Sequence, residues 1–398
     1  MSIRALSLYR PAWERSGNRV AGPDEDVLTL AVAAARPLTE SHSVERVVVV
    51  TATPDVVVGF GTGVVARALD LPEDATVELR VGGGPALLDA VLSAGAGTLV
   101  VGVDLAEGAA AAGAVRVGDG PGAELRAAGR VNGSLPMRVR TVDSARTAVY
   151  GDGRVERELA TRPVIERLRA QGAPVLVGVS PSEARRWKAH PAAPPTQGPA
   201  GVVFAMAEAV SVPDPEVRIV ALDAGSGVAA DLLPGPVDVL RDVRPALPAG
   251  ERPVVGEDVE IPFSMPAYAR AFEAKVGLVA ARCSCGEMSY PPRQVCLNCG
   301  TEDDTRPVSL RRTGEVYTCV KVHVPIPGVA GPYGLAIVAL DESPVRVLAP
   351  VADVGRREAG IGERGSLILR RLAVREGVPD YGYAFRCEPG AVDDGVSA

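Results

Sequence analysis

The sequence predicts an α/β fold that is followed by a small cysteine-bearing unit and a short all-β domain. Three observations lead to this prediction. From residue 1 to about 250, short apolar runs alternate with alanine-rich helical stretches, which is typical of layered α/β packing. A unit of one glycine-proline turn, one helix and one strand occurs twice in this region. Four of the six cysteines then lie within residues 282–300, and strand-like runs follow them.

The composition is that of an ordinary globular protein. The chain has 398 residues, 47% of them hydrophobic and 23% charged, so it can bury a sizeable core. Its net charge of -7 and its lack of a basic stripe argue against a nucleic-acid partner. No run approaches the ~20 apolar residues that span a bilayer, and the first residues lack the apolar run of a signal peptide. We therefore expect no membrane partner and a cytoplasmic location.

The first half of the α/β region contains three predicted strands. Residues 46–52 are rich in valine, and the stretch GTGVVARALDL after them has the apolar spacing of a helix. Residues 77–81 form the next strand, which leads into a glycine turn and the helix GGGPALLDAVLSAG. The run GTLVVGVDLAEG is continuously apolar, as a strand buried on both faces of a sheet is. Strands and helices in this alternation predict α/β layers.

The same unit then recurs in the second half of the region. Residues 83–108 match residues 197–227, because both begin with a glycine-proline turn, continue with a helix and a strand, and end in an acidic or glycine-rich turn. The upstream strands VERVVVVTATPD and APVLVGVSPSE match in the same way. Two matches in the same order make chance a poor explanation, so an internal duplication is predicted.

The order of these motifs resembles the thiolase superfamily, and within it hydroxymethylglutaryl-CoA synthases and initiating ketoacyl-ACP synthases. The resemblance covers roughly residues 1–245 and is carried by TATPD, ALDL, GGGPALLDAV, LVVGVD, GPAGVVFAMAEA and RIVALDAGSGVAADL. It implies a duplicated α/β/α/β/α core and an acyl-CoA or acyl-carrier-protein thioester as ligand. It also implies a homodimer or a related thiolase-like subunit as partner, and we expect the small-residue runs GVVARALDL and GPALLDAVLSAGAG to pack against that second chain.

The superfamily's chemistry depends on a cysteine at a strand-to-helix elbow, where the helix amino terminus lowers the thiol pKa. The resemblance places this elbow position at Val81. It places the superfamily's histidine at about Val179 and the asparagine of ketoacyl-ACP synthases near Thr196. Since none of these three residues can take the family role, the resemblance implies a member without an acyl-cysteine nucleophile.

Other residues near the elbow are candidates for contacting a substrate. We expect Gly82, Gly83 and Gly84 to leave backbone amides open at a helix amino terminus, where such amides hold a phosphate or a thioester oxygen. His190 lies in a proline-rich loop and is a second candidate, the alternative being a solvated loop histidine. The run lacks the G-x-G-x-x-G spacing of a dinucleotide site.

A linker and a helix connect the two main regions of the chain. Residues 246–263 are rich in proline and have little periodicity, so they are predicted to be a linker. Residues 264–280 follow as a helix, in which Tyr268, Phe272 and Val276 recur at every fourth position. This single apolar stripe predicts packing against the other domain or another chain.

The segment 281–304 carries two cysteine pairs. Cys283 and Cys285 form the first pair, Cys296 and Cys299 form the second, and a glycine follows each pair. Four thiolates at two tight turns suit tetrahedral zinc, which contributes folding energy to a small unit. The first pair has one residue between its cysteines where ribbons usually have two. We predict a zinc ribbon with zinc as cofactor, the alternatives being a disulfide or cysteines that only pack.

Residues 305–398 contain about five strand-like runs separated by turn residues, which predicts a small barrel. The sequence from SMPAYARAF through PPRQVCLNCG and GEVYT to YAFR resembles the zinc-ribbon and OB-fold family once catalogued as domain of unknown function thirty-five. Members of that family accompany thiolase-like subunits, so the resemblance implies an acyl-CoA or acyl-carrier role. The barrel lacks the interleaved aromatic and basic residues of a nucleic-acid binder.

The sequence leaves three functions open. The first is a thioester-binding component of a thiolase-like complex, which supports a partner that holds the working cysteine. The second is an enzyme that makes or breaks a carbon-carbon bond without an acyl-cysteine, as a retro-aldolase or a hydroxymethylglutaryl-CoA synthase-like acyltransferase would, with Tyr150 and Tyr268 as candidates. The third is a structural or regulatory binding protein.

Overall fold

The computed structural model describes most of the chain. The described residues are 2–40, 43–53, 61–106, 108–135, 138–139, 148–149, 151–169, 173–190, 194–212, 216–242, 244–248, 262–324, 332–353 and 359–388. Most of the predicted linker and Tyr150 lie outside them. Within these ranges, no helix combines the length and the apolar character needed to cross a membrane.

The first half of the amino-terminal unit alternates strands and helices as the sequence pattern predicts. Its elements are β1 (Ser2–Tyr9), β2 (Trp13–Arg15), β3 (Asn18–Arg19), α1 (Val27–Thr39), β4 (Arg46–Thr51), α2 (Gly61–Ala68), β5 (Thr76–Val81), α3 (Gly84–Leu92), β6 (Thr98–Ala106) and β7 (Ala109–Gly118). Helix α1 begins after a capping box, in which the Thr29 N–H donates to the Asp26 carboxylate and the Asp26 N–H donates to the Thr29 hydroxyl. Four successive valines make β4 apolar on both faces, which suits a strand inside a sheet.

The second half repeats this order. Its elements are β8 (Ala123–Val131), β9 (Arg138–Val139), β10 (Ala148–Val149), α4 (Gly153–Glu156), a π-helical turn (Arg157–Thr161), α5 (Arg162–Leu168), β11 (Val175–Val177), α6 (Pro181–Arg186), α7 (Pro199–Ala209), β12 (Val217–Asp223) and β13 (Ser226–Leu233). Pro199 occupies the first position of α7, as Pro85 lies in the first turn of α3.

The carboxy-terminal unit is mostly β-structure. Its elements, with the two strands that precede it, are β14 (Asp238–Asp242), β15 (Leu247–Pro248), α8 (Met265–Lys275), β16 (Val279–Cys283), β17 (Met288–Ser289), β18 (Thr305–Ser309), β19 (Thr313–Val322), β20 (Tyr333–Leu340), β21 (Arg346–Pro350), β22 (Arg364–Arg375) and β23 (Val378–Cys387). Tyr268 and Phe272 of α8 are half-buried, as the predicted stripe requires.

The two halves of the amino-terminal unit form one sheet. The first half has the strand order β5-β4-β6-β7-β1, and the second half has the order β8-β13-β12-β11 and joins the first through β1 and β8. Within each half, a parallel pair, β4–β6 or β11–β12, continues into antiparallel neighbours. The described residues of the second half contain no counterpart of β5. This repeated order confirms the predicted duplication.

Three apolar clusters separate the helices into layers. Helices α1 and α2 cover the outer face of the first half, α3 and α7 lie in the middle, and α5 covers the outer face of the second half. Strand β4 shows the division, because Val47 and Val49 face the outer helices whereas Val48 and Val50 face the middle. The five-layered arrangement implied by the thiolase resemblance is therefore confirmed.

The burial of α2 and α3 bears on the expectation that their small-residue runs pack against a second chain. Leu87 and Leu88 of this helix are fully buried in the middle layer, and Val64 and Val65 of α2 are buried against α1. Both small-residue runs therefore pack inside their own chain. Ala86 and Leu92 of α3 and Gly63 of α2 nevertheless keep exposed area, so packing of these runs against a second chain remains a prediction.

The last five strands close into a barrel. The order is β19-β20-β21-β23-β22, all neighbours are antiparallel except β21 and β23, and Val351 bridges to Phe385 in parallel to close the ring. This is the five-stranded order of an OB-fold, which confirms the predicted barrel. Strands β16, β17 and β18 form a separate small sheet that carries the cysteine pairs.

The amino-terminal unit and the barrel share one apolar core. The cluster that contains α1 and α2 continues through Leu278 and Leu310 into the barrel interior, where Leu369 and Phe385 belong to it. The same contact includes Arg312 of the barrel, which donates two hydrogen bonds to the carboxylate of Asp70. The two units are therefore packed into one hydrophobic structure.

A buried ion cluster lies at the edge of this shared core. Arg370 of β22 is fully buried, and its Nη2 lies 3.1 Å from Glu25 Oε1 and 3.1 Å from Asp353 Oδ2. The same Nη2 donates to the Tyr9 hydroxyl, which donates to Glu25 Oε1 at 2.5 Å. Burial raises the pKa of both Asp24 and Glu25, and the Arg370 charge opposes this rise. One cation thus binds carboxylates from both units.

We predict that Arg370→Ala lowers the free energy of unfolding by about 3–5 kcal/mol, because it leaves buried carboxylates without their cation. Arg364→Ala is the matched control, since that arginine pairs with Asp341 at the surface and is expected to contribute little. Denaturant unfolding followed by circular dichroism measures both. Equal losses for the two variants would contradict the role of the buried cluster.

Candidate functional site

The four cysteines of the ribbon are held by two turns. Cys283 is the last residue of β16, and the Gly286 N–H donates to its carbonyl at 2.9 Å. The Gly300 N–H donates to the Cys296 carbonyl at 3.0 Å. Gly286 has a φ of 95°, in the left-handed region that favours glycine, so the shorter first turn closes because a glycine follows it.

The sulfur atoms have the spacing of a tetrahedral metal site. All four Sγ atoms lie within 4.8 Å of one another. Cys283 Sγ lies 3.6 Å from Cys299 Sγ, and Cys285 Sγ lies 3.6 Å from Cys296 Sγ. Tetrahedral Zn–S bonds of about 2.3 Å place neighbouring sulfurs about 3.8 Å apart, so the four residues fit such an ion. The predicted cysteine set is thus brought together as a cluster compatible with a metal.

The Cys299 thiol has a lowered pKa because it is hydrogen-bonded to Thr301. Thr301 Oγ1 lies 3.2 Å from Cys299 Sγ. The hydrogen bond from the Thr301 hydroxyl, aided by the Thr301 backbone, lowers the pKa of the Cys299 thiol to about 6. The thiolate is the form that binds a metal, so this hydrogen bond favours the ligand form of Cys299. The pKa of Cys283 in the same cluster is shifted the other way, to about 12.

The second candidate region lies at the amino termini of the two middle helices. Asp104, near the end of β6, accepts hydrogen bonds from the Gly198 N–H at 3.2 Å and the Gly201 N–H at 3.3 Å, both at the start of α7. A Cβ atom on Gly198 would lie 2.1 Å from Asp104 Oδ1, so only glycine fits there. A carboxylate from the first half therefore caps the middle helix of the second half.

Asp223 has the matching position in the other direction. It is the last residue of β12, and a Cβ atom on Gly83 would lie 2.3 Å from Asp223 Oδ2. Gly83 immediately precedes α3, so a carboxylate from the second half lies against the middle helix of the first. Each half thus places a carboxylate at the amino terminus of the other half's middle helix.

The contact between Asp223 and Gly83 limits the space for a ligand at the three glycines Gly82, Gly83 and Gly84. The Gly82 N–H already donates to the Thr51 carbonyl at 2.9 Å. Asp223 fills the space in front of Gly83, and Gly84 lies close to Val202 of α7. A phosphate or thioester oxygen bound at these amides would have to displace the Asp223 carboxylate.

The positions that correspond to the superfamily's catalytic residues lie around these helix termini. Val81 ends β5 and is 63% exposed, whereas Val179 and Thr196 are buried. The Gly178 and Val179 N–H groups both donate to Gln197 Oε1, at 3.0 and 3.2 Å, which joins the end of β11 to the start of α7. Valine and threonine at these positions supply no thiol, no imidazole and no carboxamide.

His190 lies elsewhere. Its N–H donates to the Pro174 carbonyl at 2.9 Å, just before β11 begins, whereas the α7 terminus lies beyond the other end of that strand. Since β11 separates the two regions, the structure does not bring His190 together with Gly82, Gly83 and Gly84. Its role in contacting a substrate remains a prediction.

Asp104 and Asp223 were missed by the sequence reasoning, although the signal was present. The repeated units contain the matching strand ends VGVD and VALD, each followed by a turn. A pairing of each aspartate with the glycine-proline turn of its own repeat would have been the simplest guess. The structure instead pairs each one with the turn of the other repeat, and only the packing of α3 against α7 decides this.

The comparisons with curated proteins show the family. The chain is 33% identical over 129 residues to a DUF35 domain-containing scaffold protein of Pyrococcus furiosus, a match that covers 31% of this chain and 93% of that protein. It is 30% identical over 122 residues to a DUF35 domain-containing scaffold protein of Methanocaldococcus jannaschii, covering 29% of this chain and 86% of that protein. The chain therefore belongs to the DUF35 scaffold protein family through this portion of its length. No protein-family model matches it.

Solved structures similar to this chain fall into two groups. The Ltp2-ChsH2(DUF35) aldolase is 26% identical, with 30% of this chain and 90% of that chain covered and a TM-score of 0.26. PksG, a HMG-CoA synthase from Bacillus subtilis, is 15% identical over 58% of this chain and 79% of its own, with a TM-score of 0.46. The β-ketoacyl-[acyl carrier protein] synthase III of Thermus thermophilus is 22% identical over 58% of this chain and 98% of its own, with a TM-score of 0.41.

The buried carboxyl of Asp104 predicts that the free energy of unfolding depends on pH. Burial raises the pKa of this carboxyl from 3.8 to about 6, while the Gly198 and Gly201 amides favour its ionised form. Because the folded chain holds this proton more tightly than the unfolded chain, the free energy of unfolding falls by about 3 kcal/mol as the pH rises from well below about 4 to well above about 6. Asp104→Asn keeps one acceptor oxygen and removes this pH dependence.

Denaturant unfolding at a series of pH values measures the effect. Asp119→Asn, in an exposed loop, is the control and should leave the slope unchanged. A slope that is the same in Asp104→Asn and in the wild-type chain would show that the buried carboxyl does not titrate in this range.

Proposed function

We propose that this chain is a non-nucleophilic component of a thiolase-like system, which binds an acyl-CoA or acyl-carrier-protein thioester and supports a partner subunit with the working cysteine. The observation that carries the proposal is that all six cysteines lie at residue 283 or later. The thiolase-like unit therefore has no cysteine at all, whichever residue is taken as the elbow.

The arrangement of the middle helices supports this proposal. A helix amino terminus lowers the pKa of a thiol by favouring a negative charge. Here that favourable position is taken by the carboxylates of Asp104 and Asp223. The family name of the curated relatives, scaffold protein, also supports a role beside a catalytic subunit. We place this activity in the cytoplasm.

The rival proposal, an enzyme that works on a carbon-carbon bond alone, has less support. Tyr268 packs between Phe263 and Phe272, and burial followed by the nearby Asp380 charge raises its pKa to about 12. A tyrosine with so high a pKa is a poor general base at neutral pH. The other tyrosine candidate, Tyr150, lies outside the described residues.

We also propose zinc as the metal of the four-cysteine cluster. Four thiolates in a closed set are the ligands of structural zinc, whose binding energy contributes to folding. Zinc bound there would link β16 to both turns of the ribbon. Cys283, Cys285, Cys296 and Cys299 would hold it.

The first test concerns the thioester. We expect titration calorimetry to detect binding of acetyl-CoA or acetoacetyl-CoA, and we expect intact-protein mass spectrometry after incubation to show no added acyl group. A chain that binds neither thioester, nor an acylated carrier protein, would contradict the thioester role. A stable acyl adduct that disappears when one cysteine is replaced would contradict the non-nucleophilic role.

The second test concerns the metal. Elemental analysis of the purified chain is expected to find about one zinc per chain, as expected for a Cys₄ site. Cys296→Ser should lose most of this zinc, whereas Cys319→Ser should keep it, because Cys319 lies in β19 away from the cluster. A full zinc content in Cys296→Ser, or a metal-free wild-type chain purified from zinc-supplemented cells, would overturn the assignment.

A further inference from the structure

The barrel has an outer face with apolar side chains that are exposed in the part of the chain that the structure describes. Side chains of β19, β20 and β21 alternate between the barrel interior and the outside, so Val316 and Val338 are buried while their neighbours point outward. We call this surface the outer barrel face, and its residues are Tyr317, Val320, Leu335, Ile337 and Leu348. Tyr317 is 51% exposed, Val320 60% and Leu348 66%.

The register makes this face continuous. Val320 lies opposite Leu335, and Ile337 lies between Thr318 and Leu348, so these side chains form two adjoining rows across three strands. Tyr317 projects beside them from the register shift between Val316 and Thr318. The amino-terminal unit contacts the barrel at β22, where Arg370 is buried. Within the described residues Tyr317, Val320 and Leu348 are exposed, and Leu335 and Ile337 are half-buried. A contiguous exposed apolar patch of this kind is characteristic of an interaction surface.

Two charged residues flank the face in one row. Glu315 of β19 and Arg346 of β21 both lie opposite Ala339 of β20, one on each side. Glu315 lies opposite Arg364 of β22, whose charge it favours without a salt-bridge contact within the described residues. The Arg346 guanidinium stacks over Tyr317 at 3.7 Å. The face therefore carries an acid at one edge and a base at the other, with tyrosine and arginine, which are enriched at protein interfaces.

We propose that the outer barrel face binds a second copy of this chain around a two-fold axis parallel to β20. Such an axis keeps each row of residues in place and exchanges the two edges, so β19 of one copy faces β21 of the other. Glu315 then faces Arg346 of the second copy, and the reverse pair forms at the other edge. Ile337 meets Ile337 and Leu335 meets Leu335 at the centre.

The face is self-complementary in both charge and apolar character, which an isologous contact requires. A face with two acids or two bases at its edges would repel its own copy. The proposal is independent of thioester binding, because no residue of the face belongs to the cysteine cluster or to the middle helices.

The experiment uses the full-length chain at micromolar concentration and measures mass by light scattering and sedimentation. The wild-type chain is expected to be a dimer, and Leu348→Asp should raise its dissociation constant by about tenfold or more, since it places a charge in the apolar contact beside the central Ile337. Leu159→Asp is the matched control, because Leu159 is 66% exposed but lies in the amino-terminal unit. It should leave the dimer unchanged.

A charge exchange makes the test specific to this geometry. Glu315→Arg faces Arg346 of the second copy and should weaken the dimer, whereas Glu315→Arg combined with Arg346→Glu should restore it. Zinc content and circular dichroism verify that each variant is folded. A monomeric wild-type chain overturns the proposal. A dimer that is insensitive to Leu348→Asp and to Glu315→Arg also overturns it and places the contact elsewhere, such as the free edge of β5.

Discussion

The exchange of carboxylates between the two halves is the interaction on which the amino-terminal unit depends. Asp104 and Asp223 come from equivalent strand ends, and each lies at the amino terminus of the other half's middle helix. A buried carboxylate is costly unless amides and a helix dipole stabilise it, and the start of a helix supplies both. Glycine is required at Gly83 and Gly198 because the carboxylates approach too closely for a side chain. The same contact that holds the middle layer also places a carboxylate in front of the amino terminus of each middle helix.

The barrel is joined to this layered unit by a different kind of contact. An apolar core runs continuously from α1 into the barrel, and Arg370 adds a buried cation that carboxylates of both units share. The curated relatives match only this chain's DUF35 portion, so they lack the amino-terminal unit that surrounds Arg370 here. Fusion in one chain therefore assigns one side of the barrel to an internal contact. On the outer barrel face, Tyr317 and Leu348 are exposed within the described residues.

The ribbon shows how local sequence can define a site. Each cysteine pair lies next to a glycine, and both glycines adopt positive φ angles that close the two turns. Only the pairing of the turns with each other required tertiary structure, and β16 with β18 supplies it. The result places four sulfurs at distances that suit one tetrahedral ion. The ribbon and the middle helices are thus separate regions. The ribbon carries a cysteine cluster compatible with a metal, whereas the unit that contains the middle helices has no cysteine.

The sequence by itself determined the elements, the duplication, the cysteine cluster and the barrel, because these follow from short-range periodicity, turn residues and spacing. It also showed that no cysteine is present before Cys283. Tertiary structure alone decided that Asp104 caps α7 and that Asp223 lies against Gly83, since residues about 95 and 140 positions apart are involved. It alone decided that Arg370 is buried beside Glu25 and that His190 lies at the end of β11 opposite the amino terminus of α7. Long-range contacts of this kind depend on how layers pack, and a local pattern carries no information about which layer a side chain will meet.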